Sequence, residues 1–183
     1  MKTTFLTATG VVGVMALRML AAEPISPALQ SKIDTKLKEI QTWAADPAIV
    51  EAVRTQNAKL PPEHTAMTQE KWKAATILDP FVRSFSKNAA AEFLKSKKDT
   101  AVSEGFLSDA NGLKVAFLSK TSGWSHKGKD KHDVPMTGKT WQGPIELAES
   151  SGLKQLQIAV PVLDAGNPIG SLVVGLKIAK LGQ

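Results

Sequence analysis

The sequence predicts an α+β fold, in which a long N-terminal helix and further helices precede a roughly five-stranded antiparallel sheet. Two observations predict this order. Apolar residues recur every three to four positions in the first half of the chain, as on one face of a helix. In the second half, short apolar runs are separated by turn residues, which is typical of hairpins. Helices and strands are therefore segregated along the chain, as in α+β proteins.

The helices are delimited by capping residues followed by proline. The first helix is predicted from Pro27, because the apolar residues between Leu29 and Trp43 keep a 3.6-residue period. Asp46-Pro47 predicts a second helix that ends near Asn57, and Pro61-Pro62 breaks the chain. Two further helices are predicted, one after Thr68 through Trp72 and Ala75, and one after Asp79-Pro80 through Phe81 to Leu94.

The strands are predicted as two hairpins and one short addition. Residues 101–108 and 113–120 are joined by Asp109-Ala110-Asn111-Gly112, and an Asn-Gly pair between apolar runs is a strong hairpin signal. Residues 156–163 and 169–178 are joined by a second run of turn residues, Asp164 to Pro168. A short strand is predicted over residues 144–148. The long stretch 121–142 has no clear period, and loops of that length in compact domains are usually functional or disordered.

These hairpins carry a resemblance to a known family. The residues concerned are Gly105 to Gly112 with the strand that follows, Ala159 to Asp164, and Gly166 to Gly175. They resemble the extracytoplasmic PDC/Cache sensor domains, in which a PAS-like sheet lies behind a long N-terminal helix. The resemblance implies a stand-alone sensor-type domain that binds a small anionic or polar metabolite, such as the carboxylates bound by members of the family. It also implies that the domain needs no catalytic residue and no cofactor.

The same resemblance implies a ligand pocket between the concave sheet face and the stretch 121–142. The chain has no tyrosine and no Arg-x-Trp in its helical region, so it departs from the amino-acid-binding pattern of the family. The segment Trp124 to Asp133 is rich in cationic and hydrogen-bonding side chains, which suit an anionic ligand. The residues predicted around the pocket are Ser119, Lys120, Trp124, His126, Lys127 and Trp141.

The sequence of this region also allows other interpretations. It is also compatible with a solvated charged loop, because charged runs usually lie on the surface. His126, His132, Asp130 and Asp133 offer imidazole and carboxylate groups to a metal ion, but their spacing matches no metal motif and the neighbouring lysines oppose a cation. Thr137 to Thr140 lacks the earlier glycine of a phosphate loop. No Gly-x-Ser-x-Gly elbow is present, so the sequence predicts neither a metal site nor an enzyme.

Residues 1–22 have the layout of a secretory signal peptide. Lys2 gives a positive start, an apolar stretch runs from Phe5 to Leu17, and Ala21-Ala22 precedes a predicted cleavage point at Glu23. Glycines, threonines and Arg18 dilute this stretch relative to the ~20 predominantly apolar residues of a spanning helix. We therefore expect residues 23–183 to form a single exported domain, periplasmic or secreted. An inner-membrane anchor formed by residues 3–22 is the alternative.

Composition narrows the choice of partners. The net charge is +6, and removal of the leader with Lys2 and Arg18 leaves +4. The lysines are scattered, so no nucleic-acid surface is predicted. The chain has no cysteine, which excludes disulfides and thiolate chemistry. A second hypothesis makes the domain an interaction module without a ligand, in which the helix from Pro27 pairs with a second copy or with a membrane signalling partner.

Overall fold

The computed structural model describes residues 25–147 and 153–181, so the predicted leader lies outside the described residues. The elements occur in the predicted order, and the α+β class is confirmed. The helices are α1 Pro27–Ala44, α2 Pro47–Ala58, α3 Pro62–Ala66, α4 Gln69–Ala74, α5 Pro80–Ser84, α6 Ala89–Lys97 and α7 Asp130–Asp133, with 3₁₀ turns at Pro135–Thr137 and Ile178–Lys180. The strands are β1 Val102–Asp109, β2 Lys114–Phe117, β3 Trp141–Gln142, β4 Glu146–Leu147, β5 Lys154–Asp164 and β6 Asn167–Lys177.

The predicted caps begin the helices as expected. The Asp46 carboxylate accepts a hydrogen bond from the Ala48 N–H at 2.9 Å, and Asp79 accepts one from the Phe81 N–H at 2.8 Å. Each cap is followed by proline at the first helical position, where its missing N–H removes no helical hydrogen bond. Thr68 caps α4 through the Lys71 N–H, as predicted.

The single helix predicted after Asp79 is wrong, because the chain forms two helices there. The first, α5, ends at Ser84, and Asn88 begins α6. The Asn88 side chain accepts from the Ala91 N–H at 2.9 Å and donates to the Val115 carbonyl at 2.7 Å. A tertiary contact with β2 therefore overrides a continuous apolar period. Sequence periodicity alone does not report such a contact.

The strands form one antiparallel sheet in the order β2-β1-β6-β5-β3, and β4 also pairs with β5. Both predicted hairpins are present. In the β5–β6 turn, Ala165 and Gly166 have positive φ angles of 48° and 83°, as a two-residue type I′ turn requires. The predicted strand at 113–120 is shorter than expected, and Ala148 of the predicted strand 144–148 lies outside the described residues. The short strand β3 and helix α7 lie in the stretch that gave no periodic signal.

The sheet is covered on both faces. One face packs against α1, α2 and α6, and this core includes Ile33, Ile40 and Leu107. The other face is covered by α4, α5 and residues 118–142, which we call the cover. Below the cover lies a second, aromatic cluster, which consists of Trp72, Val82, Phe85, Phe106, Phe117, Trp124, Ala159 and Val173. Side chains alternate between the two cores because successive residues of a strand point to opposite faces.

The outer surface of α1 bears on the interaction hypothesis. The helix buries one stripe that contains Ile33, Ile40 and Trp43. If this helix paired with a second helix, its apolar stripe would be wider than the stripe that packs against the core. Its exposed residues between Ser31 and Thr42 are instead polar or charged. Within residues 25–147 and 153–181, no helix has the length and apolar character needed to cross a membrane.

The close approach of β6 to the helical layer generates a stability prediction. A Cβ atom at Gly170 would lie 2.3 Å from the Ser108 carbonyl oxygen and 2.8 Å from Val53 Cγ1. Gly170→Ala is therefore expected to lower the free energy of unfolding by about 1–3 kcal/mol, as overpacking does. Gly105→Ala is the matched control, because its Cβ would meet only the movable end of Leu118 at 3.0 Å. Urea denaturation measures the free energy of unfolding of both variants. Equal losses of stability in the two would show that Gly170 is not needed for the close approach of β6 to the helical layer.

Candidate functional site

A cavity of about 470 Å³ lies between the sheet and the cover. This volume falls within the roughly 300–1,000 Å³ range of small-molecule pockets. Strands β1 and β5 supply its floor, the cover supplies one wall, and β4 supplies part of its rim. It is lined by Glu104, Phe106, Lys120, Thr121, Ser122, His126, Lys131, Glu146, Leu147, Gln155 and Gln157.

The floor is polar because three neighbouring strands align polar or small residues on this face. Glu104 of β1 pairs with Gly175 of β6, and Gly175 pairs with Gln157 of β5. Gly175 has no side chain, and a Cβ atom there would lie 2.6 Å from Glu104 Cγ. The glycine therefore leaves room for the Glu104 side chain to lie across β6. Without that room, Glu104 would not reach the side chain of Gln157.

A chain of hydrogen bonds joins this floor to the cover. Lys131 Nζ donates to Gln157 Oε1 at 3.0 Å, and Gln157 Nε2 donates to Glu104 Oε1 at 2.6 Å. The Gln157 amide thus links a cation to an anion that are not in direct contact. Partial burial lowers the pKa of Lys131, while the Glu104 and Glu146 carboxylates oppose that change. A ligand group that replaced Gln157 as the hydrogen-bond acceptor of Lys131 would form a charge-assisted hydrogen bond with its ammonium group.

The wall of the cavity is formed by a buried histidine. The His126 ring stacks on Phe106 of β1, with ring centroids 4.5 Å apart and planes inclined at 19°. Its Nδ1 atom is hydrogen-bonded to Nζ of Lys114, a fully buried residue of β2. Burial, together with the positive charges of Lys114 and Lys131, lowers the pKa of His126 to about 2. The ring is therefore neutral at physiological pH.

Two further contacts hold the cover in place. His132 of α7 is buried, and its Nδ1 lies 2.8 Å from Ser171 Oγ of β6. Nearer the start of the cover, the Gln69 side chain of α4 donates to the Ser122 carbonyl and accepts from the Trp124 N–H. These bonds position Thr121 and Ser122 at the rim. The cover thus combines buried anchors with exposed charged residues.

The predicted pocket residues fall into three groups. Lys120 and His126 line the cavity. Trp124 is buried in the aromatic cluster, and Trp141 packs against that cluster from β3. Ser119 and Lys127 are exposed and do not belong to the lining.

Sequence reasoning missed the floor residues Glu104, Gln155 and Gln157, as well as Lys131 on the cover. A signal for the floor was present. Gln155 and Gln157 stand two residues apart within an apolar strand, so both side chains point to one face of the sheet. Polar groups that recur every second residue in an otherwise buried strand indicate a face that is not packed against an apolar core. For Lys131, no comparable periodic signal exists.

A second hollow of about 360 Å³ lies at the edge of α1 and includes Lys32, Lys36 and Lys180. Its central lysine is already paired, because Lys36 Nζ lies 2.5 Å from Glu39 and 2.6 Å from Asp99. An anion that bound there would compete with two carboxylates. We therefore regard the cavity under the cover as the candidate site, since its charged groups are linked through an exchangeable amide.

The arrangement offers binding groups rather than reacting groups. The Ser171–His132 pair has a hydrogen-bonded geometry, but the two residues are 0% and 1% exposed, so a substrate does not reach them. Nucleophilic catalysis requires an accessible nucleophile next to its base. Across the described ranges, no three His, Asp or Glu side chains are grouped to hold a metal ion.

No protein-family model matches the chain, and no curated protein matches its sequence. Solved structures of sensor domains do match. One is the ligand-binding domain of the amino acid chemoreceptor PctC from Pseudomonas aeruginosa in complex with GABA, at 14% identity and a TM-score of 0.46. Another is the ligand-binding domain of Campylobacter jejuni chemoreceptor Tlp3 in complex with 4-methylisoleucine, at 17% identity and a TM-score of 0.43. A third is the sensor domain of the Vibrio cholerae histidine kinase DctB, at 14% identity and a TM-score of 0.37.

These structures are sensor domains, the kind of domain that the sequence was predicted to resemble, and the likeness is distant. They cover 83–84% of this chain but only 56–58% of the matched chains, so this chain spans little more than half their length. At such identities and TM-scores they assign neither a ligand nor a residue role to this chain. The residues of the cavity carry the functional interpretation.

The buried neutral state of His126 generates a prediction about pH. Its pKa is about 2 in the folded protein and about 6.5 when unfolded, so the unfolded state binds more protons between these values. Stability from this residue is therefore fully present above pH 6.5 and is lost as the pH falls below it, by about 1.4 kcal/mol per pH unit.

His126→Gln removes this titration. Denaturation of the wild type and of the variant between pH 5 and 6.5 measures how steeply the free energy of unfolding of each depends on pH. This window lies above the ordinary range of carboxylates. The wild-type free energy of unfolding is expected to fall more steeply with acid than that of the variant. Parallel curves would show that His126 is not buried in its neutral form.

Proposed function

We propose that the chain is an exported domain that binds a small polar metabolite under the cover and catalyses no reaction. The observation that carries this proposal is the cavity of about 470 Å³, in which a polar floor faces cationic and imidazole groups of the cover. A well-formed concave site with a few convergent polar groups is the usual form of a small-molecule pocket. The sensor-type role predicted from the sequence remains part of this proposal.

The charges of the cavity favour a ligand that carries a carboxylate. Lys131 hydrogen-bonds with Gln157, and an ammonium group has three donors. Lys120 provides a second cation, with its Nζ 5.0 Å from the Trp72 ring centroid. Glu104 on the floor opposes a purely anionic ligand and can accept a hydrogen bond from a donor group. The ligand is therefore a small polar molecule with a carboxylate at the cover and a donor at the floor.

The residues assigned to binding are Lys120 and His126 from the sequence prediction, together with Glu104, Lys131 and Gln157. Trp124 and Trp141 support the wall from the aromatic cluster. Ser119 and Lys127 remain predicted contacts that would require a ligand to extend beyond the cavity. The alternative role as an interaction module gains no support from the polar outer surface of α1.

A thermal-shift screen of residues 23–183 against small carboxylates and zwitterions tests the proposal. A ligand at 100 times its dissociation constant stabilises a protein by about 2.7 kcal/mol. In a chain of this size, each kcal/mol raises the melting temperature by about 2–4 °C. Lys131→Met is expected to weaken binding of the identified compound at least tenfold, because about 1.5–3 kcal/mol is lost with a charged hydrogen bond.

Lys139→Met is the matched control, since Lys139 is an exposed lysine of the same cover outside the cavity lining. It is expected to bind like the wild type. Glu104→Gln keeps the shape of the floor and is expected to discriminate against ligands that carry an ammonium group. Unchanged binding in both Lys131→Met and Glu104→Gln would show that the ligand does not occupy this cavity.

Export is the second part of the proposal, and it is supported by the composition of residues 1–22. When the full chain is expressed in a bacterium, we expect the protein in the periplasmic fraction to begin at Glu23. Intact-mass measurement of that fraction checks this. A mass that retains Met1 in the membrane fraction would support an anchor instead, and retention in the cytoplasm would contradict export.

A further inference from the structure

Lys114 is a buried lysine that the binding site does not use directly. It is 0% exposed on β2, yet its side chain points to the same sheet face as the cavity floor, where its strand partner is Ser108. Its Nζ lies 4.7 Å from the Phe106 ring centroid and is hydrogen-bonded to His126 Nδ1. Within the described residues, Lys114 forms no ion pair with a carboxylate.

The surroundings of Lys114 restrict what it can bond. The Asp109 carboxylate acts on it from a distance and is already engaged by the N–H groups of Asn111 and Leu113. Burial and the charge of Lys131 lower the pKa of Lys114 well below its usual value, while Asp109 opposes this change. The single polar side-chain atom that Lys114 contacts in the described residues is His126 Nδ1. His126 is therefore the group on which Lys114 acts.

The direction of this hydrogen bond fixes the tautomer of the ring. As an ammonium group Lys114 can only donate, and as a neutral amine, which its lowered pKa favours, it still has N–H donors for Nδ1. If Lys114 donates to Nδ1, that nitrogen is unprotonated, and the proton of the neutral ring must be on Nε2. Nε2 lies on the side of the ring nearest Gly123, where it is 3.6 Å from the position of a Cβ atom on that glycine. Gly123 follows Thr121 and Ser122 in the chain, and these two residues line the cavity together with His126.

We propose that Lys114 is a positioning residue that holds His126 in the Nε2–H tautomer, so that His126 presents a hydrogen-bond donor to the cavity. The inference rests on the proposed function, since it assigns a role to one wall of the same site. Together with Lys131 and Lys120, which also line the cavity, His126 then adds a third donor to this wall. The cover side of the cavity therefore selects ligand groups that accept hydrogen bonds, and carboxylates above all.

The tautomer is measured directly, without a ligand. A two-bond ¹H–¹⁵N correlation spectrum separates the two tautomers and the doubly protonated ring, and the chain has only three histidines to assign. The wild type is expected to show His126 as the Nε2–H form at pH 7. Lys114→Met keeps the length of the side chain but removes the donor, and it is expected to give a mixture of tautomers. Lys114→Arg retains donors and is expected to restore the single form.

A wild-type spectrum with the proton on Nδ1, or with both nitrogens protonated, would overturn the proposal. So would an unchanged tautomer in Lys114→Met. If Lys114→Met does not fold, the wild-type and Lys114→Arg spectra decide the question, because both contain a donor and must show the same Nε2–H form.

Binding is then followed with propionate, propionamide and propylammonium, which share a carbon skeleton and differ in charge. Propionate is expected to bind at least tenfold more tightly than propylammonium and to shift the His126 Nε2–H signal. The affinity for propionate is expected to fall about fivefold in Lys114→Met, while His126→Gln, which keeps an N–H near the Nε2 position, retains most of it.

The outcomes separate this inference from the proposed function. Shifts at Gln157 and Lys131 without any at His126 would overturn the inference and leave the binding site in place. An Nε2–H tautomer with no response of any cavity residue to the three compounds would count against the binding site, and with it the selectivity ascribed to His126. Equal affinity for propionate and propylammonium would contradict the selectivity ascribed to the donors of Lys120, His126 and Lys131.

Discussion

The hydrogen-bonded row from Glu104 to Gln157 to Lys131 is the interaction on which the site depends. A carboxylate and an amide on a sheet face need polar partners, because burial without them costs several kcal/mol. Here the Glu104 carboxylate and the Gln157 amide hydrogen-bond to each other, and Gln157 also accepts from Lys131 of the cover. Gly175 lies between the two side chains and leaves space for them to meet. An apolar cover could not close over this part of the face without leaving those groups unpaired. A hollow with polar walls is the physical consequence.

The rest of this face is closed by aromatic packing, and that contrast positions the hollow. Next to the polar row, Phe106, Val173 and Ala159 stand side by side on the three central strands and continue into the cluster around Trp72 and Trp124. Phe106 belongs to both regions, because its ring also stacks against the ring of His126 at the cavity wall. The cover is thus fixed where it meets aromatic residues and open where it meets polar ones.

Much of the fold could be predicted from the sequence because its signals are local. Proline-containing caps and the Asn-Gly turn act within a few residues, so the helix starts and the first hairpin are confirmed. The break at Asn88 and strand β3 depend on partners far away in the chain, Val115 for one and Ala159 for the other. Local patterns carry no information on such partners.

The candidate site was only partly predictable for the same reason. Lys120 and His126 could be predicted because the cover is unusually polar. The sequence alone does not distinguish an exposed lysine from a buried one. Lys114 illustrates this: it stands in an apolar strand beside Val115, and nothing nearby in the sequence marks it as a buried partner of His126. Its role is set by the pairing of β2 with β1, which turns its side chain under the cover.

The central claim, an open hollow on one face of β5, is tested most directly by thiol accessibility, since the chain has no cysteine of its own. Single cysteines at Gln157, on the cavity floor, and at Val160, buried against the helical layer, would be compared for their rates of alkylation by iodoacetamide. Ready alkylation is expected at position 157, and strong protection at position 160, under native conditions. Equal protection at both positions would mean that side chains fill the space beneath the cover, and would contradict the account.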